Sequence, residues 1–407
     1  MNGWMNELKS DVQLKIILFI ISPFFAALYS FKRANTKSSY LVFLLSSVFF
    51  GLAFTVENGK DSVTGEGIDG QFYREEFEYA KYLTHYNYIE GLTGFLTFDE
   101  GKKDYYFETV AFYLSRITDN YHIMFMVFAF IFSYFSLKSF RFLTSEKKFN
   151  FSIISLILCY FFLYNQIFNI NGVRFWTAAW IAVYCIFQIY RNNNKFYLIL
   201  VLITPFFHGS YWIFVFIMLI SLALKRFEKI WIILYLISFF VSSFAVEIIK
   251  SFSELLPTFL YKLAVSYTSE EKLNLAWSGF GWITVLFKNL TNFYLTLIMT
   301  LFILNRNIIK ENNKVYNLYL FLLMWVTIFN FLIFVPSLGN RFIILSYPII
   351  AYIWLVEFKD VKYKRIILCL PLIFIWDIQK QIQYYIQVLE VGYFFSNPIY
   401  LIYKYML

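Results

Sequence analysis

The sequence predicts an all-α protein that crosses a membrane many times, and its composition and charge pattern carry this prediction. Apolar residues make up 60% of the 407 and charged residues only 15%, whereas a soluble domain carries about 25% charged residues. The basic residues lie in short loops between apolar runs, as in the cytoplasmic loops of membrane proteins. Topology therefore accounts for the net charge of +9, and no nucleic-acid partner is predicted.

Hydropathy predicts about twelve transmembrane segments within a single integral membrane domain of residues 1–407. They are expected at 14–31, 40–56, 121–140, 151–168, 173–190, 196–207, 210–224, 230–249, 282–304, 315–335, 341–357 and 366–388. Every second connection is basic, which predicts that these connections are cytoplasmic and that both termini lie outside. The three cysteines lie inside apolar runs, so neither a disulfide framework nor a metal site is predicted.

The run 196–224 is predicted to form a short helical hairpin instead of one crossing. Basic clusters flank it at both ends, and the positive-inside rule places both on the cytoplasmic side. Each leg then has about 12 to 15 residues, against the ~20 that a spanning helix needs. Pro205 and Gly209 favour a turn. His208 is therefore expected at the apex, in the outer half of the membrane, where irregular backbone lines a cavity or is buried in protein.

Two long external connections are predicted to carry amphipathic helices. Residues 57–120 contain thirteen Asp or Glu against six Lys or Arg, so this loop is acidic where the cytoplasmic loops are basic. Residues 250–281 hold a second helical pattern followed by a turn of Gly, Ser and Trp. Solvated connections resting on the membrane surface are the simplest interpretation. Together they would partly cover the outer face.

Four ionisable groups are predicted at one level, in the outer leaflet. Arg174 and Arg341 each open a span on the outside, and Lys288 lies roughly two turns below the outer start of its span. His208 joins them from the hairpin apex. Such groups are costly at membrane depth unless they have a role or a partner. Taken singly, each arginine is explained by snorkelling to the interface and His208 by a structural role, but their shared depth favours a functional set.

Two arginines and a lysine facing the exterior suit a multiply charged anion, because guanidinium groups hold phosphate oxygens with paired, planar hydrogen bonds. A neutral histidine beside them can accept a proton from an attacking hydroxyl. These groups fit transfer of a group from a lipid-linked pyrophosphate to a hydroxyl acceptor. An anion transporter would use the same cations, so the residue types alone leave both functions open.

Four sequence elements point further: NGVRFWTAAW at 171–180, LITPFFHGSYWIF at 202–214, IDGQFY at 68–73 and GNRF at 339–342. They resemble the signatures of the EpsG/Wzy-like family of exopolysaccharide and O-antigen polymerases. The matching residues are Arg174, Ala178, Phe207, His208, Asp69, Tyr73 and Arg341. The sequence departs from the family pattern where Val56 and Glu57 replace an arginine, and where Gly209 follows the histidine.

The resemblance implies a GT-C-like fold whose active site faces the periplasm or exterior of the bacterial inner membrane. It implies a glycosyltransferase that moves the growing glycan from undecaprenyl pyrophosphate onto the next lipid-linked repeat unit. No nucleotide sugar, metal or other cofactor would be needed. The implied partners are the undecaprenyl-pyrophosphate-linked oligosaccharide, the lipid bilayer and a chain-length regulator.

On this reading Arg174 and Arg341 grip the donor pyrophosphate and His208 is the candidate base. The candidate substrate-binding residues are Asp69 and Tyr73, which would position sugar, together with the cations Lys288 and Arg116. The external residues that compete for the role of base are His85, His122, Glu75 and Glu76.

Three other functions stay open from the sequence. A ligase that moves a finished glycan onto lipid A core or another acceptor would use the same chemistry. A transporter or lipid-linked oligosaccharide flippase would carry polar groups along the full membrane depth and related halves, whereas here the charged groups cluster on one side. A membrane acyltransferase would also place a histidine in a cavity, together with a second polar partner nearer the cytoplasmic side.

Overall fold

The computed structural model describes residues 4–55, 69–98, 103–241, 244–253, 261, 265, 282–333, 335, 338–359 and 363–406. The described residues form helices joined by turns and contain no strand, which confirms the predicted all-α class. The helices of the first part are α1 (Lys9–Ile21), α2 (Pro23–Ser30), α3 (Lys37–Leu52), α4 (Asp69–Ala80), α5 (His85–Thr97), α6 (Tyr106–Leu114), α7 (Tyr121–Thr144), α8 (Ile153–Phe162), α9 (Val173–Ile186), α10 (Leu198–Phe207) and α11 (Tyr211–Leu224).

The helices of the second part are α12 (Glu228–Val241), α13 (Ala245–Ser253), α14 (Trp282–Leu304), α15 (Arg306–Lys310), α16 (Asn313–Phe331), α17 (Gly339–Ile343), α18 (Ser346–Ile353), α19 (Lys364–Leu368), α20 (Leu370–Ile373), α21 (Ile375–Val388) and α22 (Pro398–Met406). Short 3₁₀ turns occur at Phe31–Arg33, Ile167–Gly172, Lys195–Tyr197 and Val391–Phe395. Single π turns extend α9 over Phe187–Arg191 and α18 over Trp354–Phe358.

Five stretches of the described chain are helical, long and apolar enough to cross a membrane. They are Tyr121–Thr144, Ile153–Arg191, Val285–Leu304, Asn313–Phe331 and Gly339–Phe358. A sixth is added if Lys364–Ile373 and Ile375–Val388, which meet at 49°, form one span. The structure thus supports a helical membrane protein, but not the predicted count of twelve spans. Part of the difference lies in three shorter apolar helices, Lys37–Leu52, Lys195–Phe207 and Tyr211–Leu224.

The predicted first span, 14–31, is not a single crossing. The chain breaks at the proline that begins α2, and α1 packs against α2. The Met5 N–H donates to the Asn35 carbonyl at 3.0 Å, and the Arg141 guanidinium lies 3.7 Å from the Trp4 ring centroid. The start of the chain therefore lies at the end of the bundle that holds the first two basic loops. The prediction that both termini lie on the opposite side is wrong for the N-terminus.

The stretch Ile153–Arg191 folds back on itself. The rings of Phe162 and Phe187 lie 6.0 Å apart, and the Trp180 indole donates to the Asn165 carbonyl at 3.1 Å. These contacts join α8 to α9 side by side. With 10 residues, α8 is only about 15 Å long, which is half of a ~30 Å hydrocarbon core.

The central helix is α9, whose side chains are buried on all faces from Thr177 to its end. It packs against α7 on one side and α10 on another. A helix that is apolar all round belongs in the interior of a bundle. Because α9 begins at Val173, Arg174 lies at the head of this enclosed helix.

The three predicted subregions are described to different extents. Within 57–120 the structure contains α4, α5 and α6, while 57–68 and 99–102 lie outside the described residues. Most of 250–281 also lies outside them, so its surface helix stays a prediction. Within 196–224, α10 and α11 contact each other and are separated only by residues 208–210; a hairpin there stays a prediction.

Candidate functional site

Arg174 is held from two directions at the head of α9. Its Nε donates to the Tyr73 hydroxyl at 3.1 Å, and its Nη1 donates to Asp104 Oδ1 at 3.0 Å. The side chain is 35% exposed, and its Nη2 donates no hydrogen bond to another described residue. The guanidinium is thus fixed through two of its nitrogens, and the third is left to donate to a ligand.

Asp104 connects Arg174 to the turn that carries the histidine. Its carboxylate is almost fully buried, and Oδ2 accepts a hydrogen bond from the Gly209 N–H at 3.3 Å. Burial raises the pKa of the Asp104 carboxyl, and the adjacent Arg174 cation opposes that rise. Sequence reasoning did not single out Asp104.

Gly209 is required by a close approach of two chain segments. A Cβ at this position would lie 2.6 Å from the Lys103 carbonyl oxygen and 3.2 Å from the Lys103 Cβ. Only glycine lets the backbones come this near. The departure from the family pattern at position 209 is thereby explained, because the glycine admits the segment that carries Asp104.

His208 lies in extended backbone between α10 and α11. Its Nδ1 accepts a hydrogen bond from the Ser210 backbone N–H at 3.2 Å and lies 2.8 Å from Ser210 Oγ. A backbone N–H can only donate, so Nδ1 is the acceptor and a neutral imidazole carries its proton on Nε2. The ring packs edge-on against Phe175 with centroids 5.3 Å apart.

Arg341 meets the same phenylalanine. Its guanidinium carbon lies 5.5 Å from the Phe175 ring centroid, and its side chain is exposed. Among the described residues it has no hydrogen bond or ion pair. Arg174 directly precedes Phe175 in the chain, and the hydrogen bonds made by Asp104 connect it to the turn that carries His208. The structure therefore brings Arg174, His208 and Arg341 together, and this set is called the arginine–histidine cluster below.

Helix α4 brings Asp69 and Tyr73 to the cluster. The Gly70 N–H donates to Asn171 Oδ1 at 2.8 Å, and Asp69 Oδ2 lies 3.6 Å from where a Cβ on Gly172 would be. The Tyr73 ring is buried, and burial raises the pKa of its phenol to about 12. Tyr73 is therefore a neutral hydroxyl that accepts from Arg174 and keeps its own proton to donate. Asp69 is an exposed carboxylate at the edge.

The structure does not bring Lys288 or Arg116 to the cluster. Lys288 lies on α14, which packs mainly against α15 and α20, and neither helix carries a member of the cluster. The Arg116 guanidinium donates to the carbonyls of Ala80 and Phe112. These bonds satisfy carbonyls at the ends of α4 and α6, which is a structural role. Substrate binding by either cation stays a prediction without geometric support.

The competing candidates for a base make other contacts. The rings of His85 and Phe112 lie 6.0 Å apart, and His122 stacks on Tyr121 at 4.1 Å. On α4, Glu75 accepts a hydrogen bond from the Gln71 amide, and Glu76 lies on the same helix. None of these contacts involves the arginine–histidine cluster.

Comparison with known proteins gives one match. A family model described as the EpsG family matches residues 60–379, which is most of the chain. The matched range includes α4, the segment with Asp104 and all three members of the arginine–histidine cluster. Neither a curated protein nor a solved structure matches the chain.

Proposed function

The chain belongs to the EpsG family, a Wzy-like polymerase family, and from this premise we propose that it polymerises a bacterial surface polysaccharide of the O-antigen or exopolysaccharide type. It transfers the growing glycan from undecaprenyl pyrophosphate onto the next lipid-linked repeat unit, at the outer face of the inner membrane and on a GT-C-like fold. The observation that carries this proposal is that His208 and Arg341 both pack on Phe175, while Asp104 connects Arg174 to the turn that carries His208.

The two arginines hold the donor pyrophosphate. Asp104 and Tyr73 orient Arg174 so that Nη2 faces the ligand, while the whole guanidinium of Arg341 is available. Fixed donors of this kind stabilise charge that develops on a leaving group. The Asp104 carboxylate offsets one of the two cations, which reduces the electrostatic repulsion between the two arginines.

His208 donates a hydrogen bond from Nε2 to the leaving pyrophosphate. The bond from the Ser210 N–H to Nδ1 supports this role over that of a base, because the lone pair a base would use is already occupied. Ser210 thereby fixes both the ring orientation and the tautomer.

In the transfer step, the acceptor hydroxyl oxygen bonds to the anomeric carbon of the donor sugar. The bond from that carbon to the pyrophosphate oxygen breaks, and its electron pair leaves with the pyrophosphate. The Asp69 carboxylate accepts the hydroxyl proton, and the Tyr73 hydroxyl orients the sugar. Their shared helix α4 and its dock at Gly172 support both assignments.

The decisive experiment is a gel of the surface glycan from a strain in which the gene is deleted. We expect acceptor molecules capped with a single repeat unit and no long chains. Absence of all caps would indicate a ligase instead, and loss of all exported material would indicate a flippase. Either of these outcomes would contradict the proposal.

A small change at Gly209 is expected to shorten the polysaccharide. In Gly209→Ala the added methyl collides with Lys103 and displaces Asp104 from Arg174. A misplacement of ~1 Å near a catalytic group can cost about 10²-fold in rate. Long-chain glycan on a gel, normalised to the amount of protein in the membrane, measures the loss.

The matched control for that change is Gly94→Ala. Position 94 lies in α5, and a Cβ there has no neighbour within 4 Å, so chain length should stay unchanged. Wild-type chains from Gly209→Ala, at equal protein level, would mean that the contact between the two segments is not needed for transfer.

A further inference from the structure

A large apolar groove runs along the bundle, outside the arginine–histidine cluster. It has a volume of about 750 Å³, within the ~300–1,000 Å³ typical of ligand sites. Its walls come from α2, α3, α7, α8 and α21, together with the 3₁₀ turn after α21. On α7 it extends from Phe132 to Phe140, which is about 12 Å along a helix.

The walls of the groove suit a hydrocarbon and not a sugar. None of the described residues that line it is charged, and aromatic rings such as Phe43 and Phe50 dominate. Two of its serines are already satisfied, since Ser46 Oγ donates to a backbone carbonyl at 2.7 Å and Ser47 Oγ to another at 2.9 Å. A glycan would leave its hydroxyls without partners here, which is costly away from water.

The rim of the groove opens sideways towards lipid. Leu28, Leu156 and Ile386 line it and are respectively 52%, 40% and 60% exposed. In a membrane these side chains face the acyl chains, so an elongated lipid can enter from the bilayer without passing through water.

One end of the groove is connected to the cluster by a hydrogen-bonded pair of glutamines and a short 3₁₀ turn. Gln166 lines the groove, and its amide donates to Gln381 Oε1 at 2.9 Å. The 3₁₀ turn Ile167–Gly172 follows directly and covers about 12 Å at ~2.0 Å per residue. It ends beside Arg174 and is the turn on which α4 docks through Asn171.

We propose that this groove binds the polyisoprenoid chain of the lipid-linked donor, with the pyrophosphate placed at Arg174 and Arg341. Along this path the apolar walls come first, the pair of glutamine amides second and the two arginines last. A polyprenyl pyrophosphate has a matching order, with its hydrocarbon chain at one end and its charged pyrophosphate at the other. The inference rests on the proposed function and adds where the lipid part of the donor lies.

The test uses the full chain in lipid nanodiscs and two photoreactive probes. One is a polyprenyl pyrophosphate without sugar that carries a diazirine in its tail, and the other is phosphatidylglycerol with the same diazirine in an acyl chain. After irradiation, mass spectrometry locates the labelled segments. We expect the polyprenyl probe to label residues 24–31, 43–50 and 156–167 about tenfold more than the phosphatidylglycerol probe at equal concentration.

Two tryptophan substitutions on α3 provide the matched comparison. Ser47→Trp fills the groove and should lower labelling by the polyprenyl probe about tenfold. Leu45→Trp places the same side chain at a position that is 36% exposed and does not line the groove, so labelling should not change. The yield of folded protein for the two variants is compared by size-exclusion chromatography.

Two results would overturn the groove assignment. Equal labelling by both probes would make the groove a site for ordinary bilayer lipid, and undiminished labelling of folded Ser47→Trp would place the tail elsewhere. Neither result contradicts the proposal that the protein is a polymerase, because the glycan gel of the deletion strain tests that proposal separately. If the polyprenyl probe labels the groove selectively but deletion of the gene leaves long glycans intact, the groove assignment is supported and the proposed polymerase activity is refuted.

Discussion

Arg174→Lys is expected to abolish long polysaccharide chains while the protein stays in the membrane at its normal level. Lysine keeps the charge but is a point donor on a flexible stem, whereas Arg174 bonds Tyr73 and Asp104 through two different nitrogens. The lysine can replace one of these bonds and leaves no oriented donor for the pyrophosphate. Loss of one fixed donor to a developing anion costs about 10²–10³ in rate.

The measurement is a ladder of surface glycan from a deletion strain that expresses each variant, with an immunoblot of the membrane fraction. Arg226→Lys is the control, because Arg226 is exposed and lies against Phe227, outside the cluster. It should support normal chain lengths. Full-length chains from Arg174→Lys would show that Arg174 only snorkels to the interface.

Two substitutions at His208 are expected to show whether this residue acts as a hydrogen-bond donor or as a base. His208→Ala removes the side chain and should abolish long chains. His208→Gln retains an N–H donor near the place of Nε2 but cannot take up a proton at neutral pH. If His208 donates a hydrogen bond, the glutamine variant should keep a measurable share of activity, about a tenth of the wild-type rate.

The readout is the rate of chain growth in membrane vesicles supplied with lipid-linked repeat units, measured across pH. A loss of activity towards low pH in the wild type does not decide the question, because the proposal already places a proton-accepting carboxylate, Asp69, in the site. A glutamine variant as inactive as the alanine variant would restore the role of base to His208, because glutamine keeps the N–H donor and lacks only the ability to accept the proton. His85→Gln is the control and should behave as wild type at every pH.

The three members of the cluster could be predicted because simple rules fix their depth. Arg174 and Arg341 each follow a polar turn at the start of an apolar run, and His208 interrupts a run flanked by basic ends. Depth alone does not fix which side of a bundle a residue faces, and Lys288 shows this. It was predicted at the same level, but its helix packs elsewhere.

Asp104 could not be predicted because nothing local marks it. It is one of thirteen acidic residues in 57–120, and most loop carboxylates are solvated. Its role depends on packing against Gly209, which is 105 residues away. The close approach of Lys103 and Gly209 is a long-range tertiary contact, and hydropathy and charge pattern cannot predict such a contact.

The first span was mispredicted for a related reason. A hydropathy window sums side chains and does not register that a proline turns the chain. The segment 14–31 is apolar enough to cross, yet α1 and α2 pack against each other. The bond from Met5 to Asn35 then places the chain start beside the first basic loop.

The position of Arg174 after its two partners in the chain has a consequence for biogenesis. Tyr73 and Asp104 precede it by 101 and 70 residues, so a ribosome completes both before it makes the arginine. A guanidinium at the head of a membrane helix is costly without partners. We therefore expect nascent chains that lack α4 to α6 to stall while α9 inserts, and chains truncated soon after α9 to insert normally.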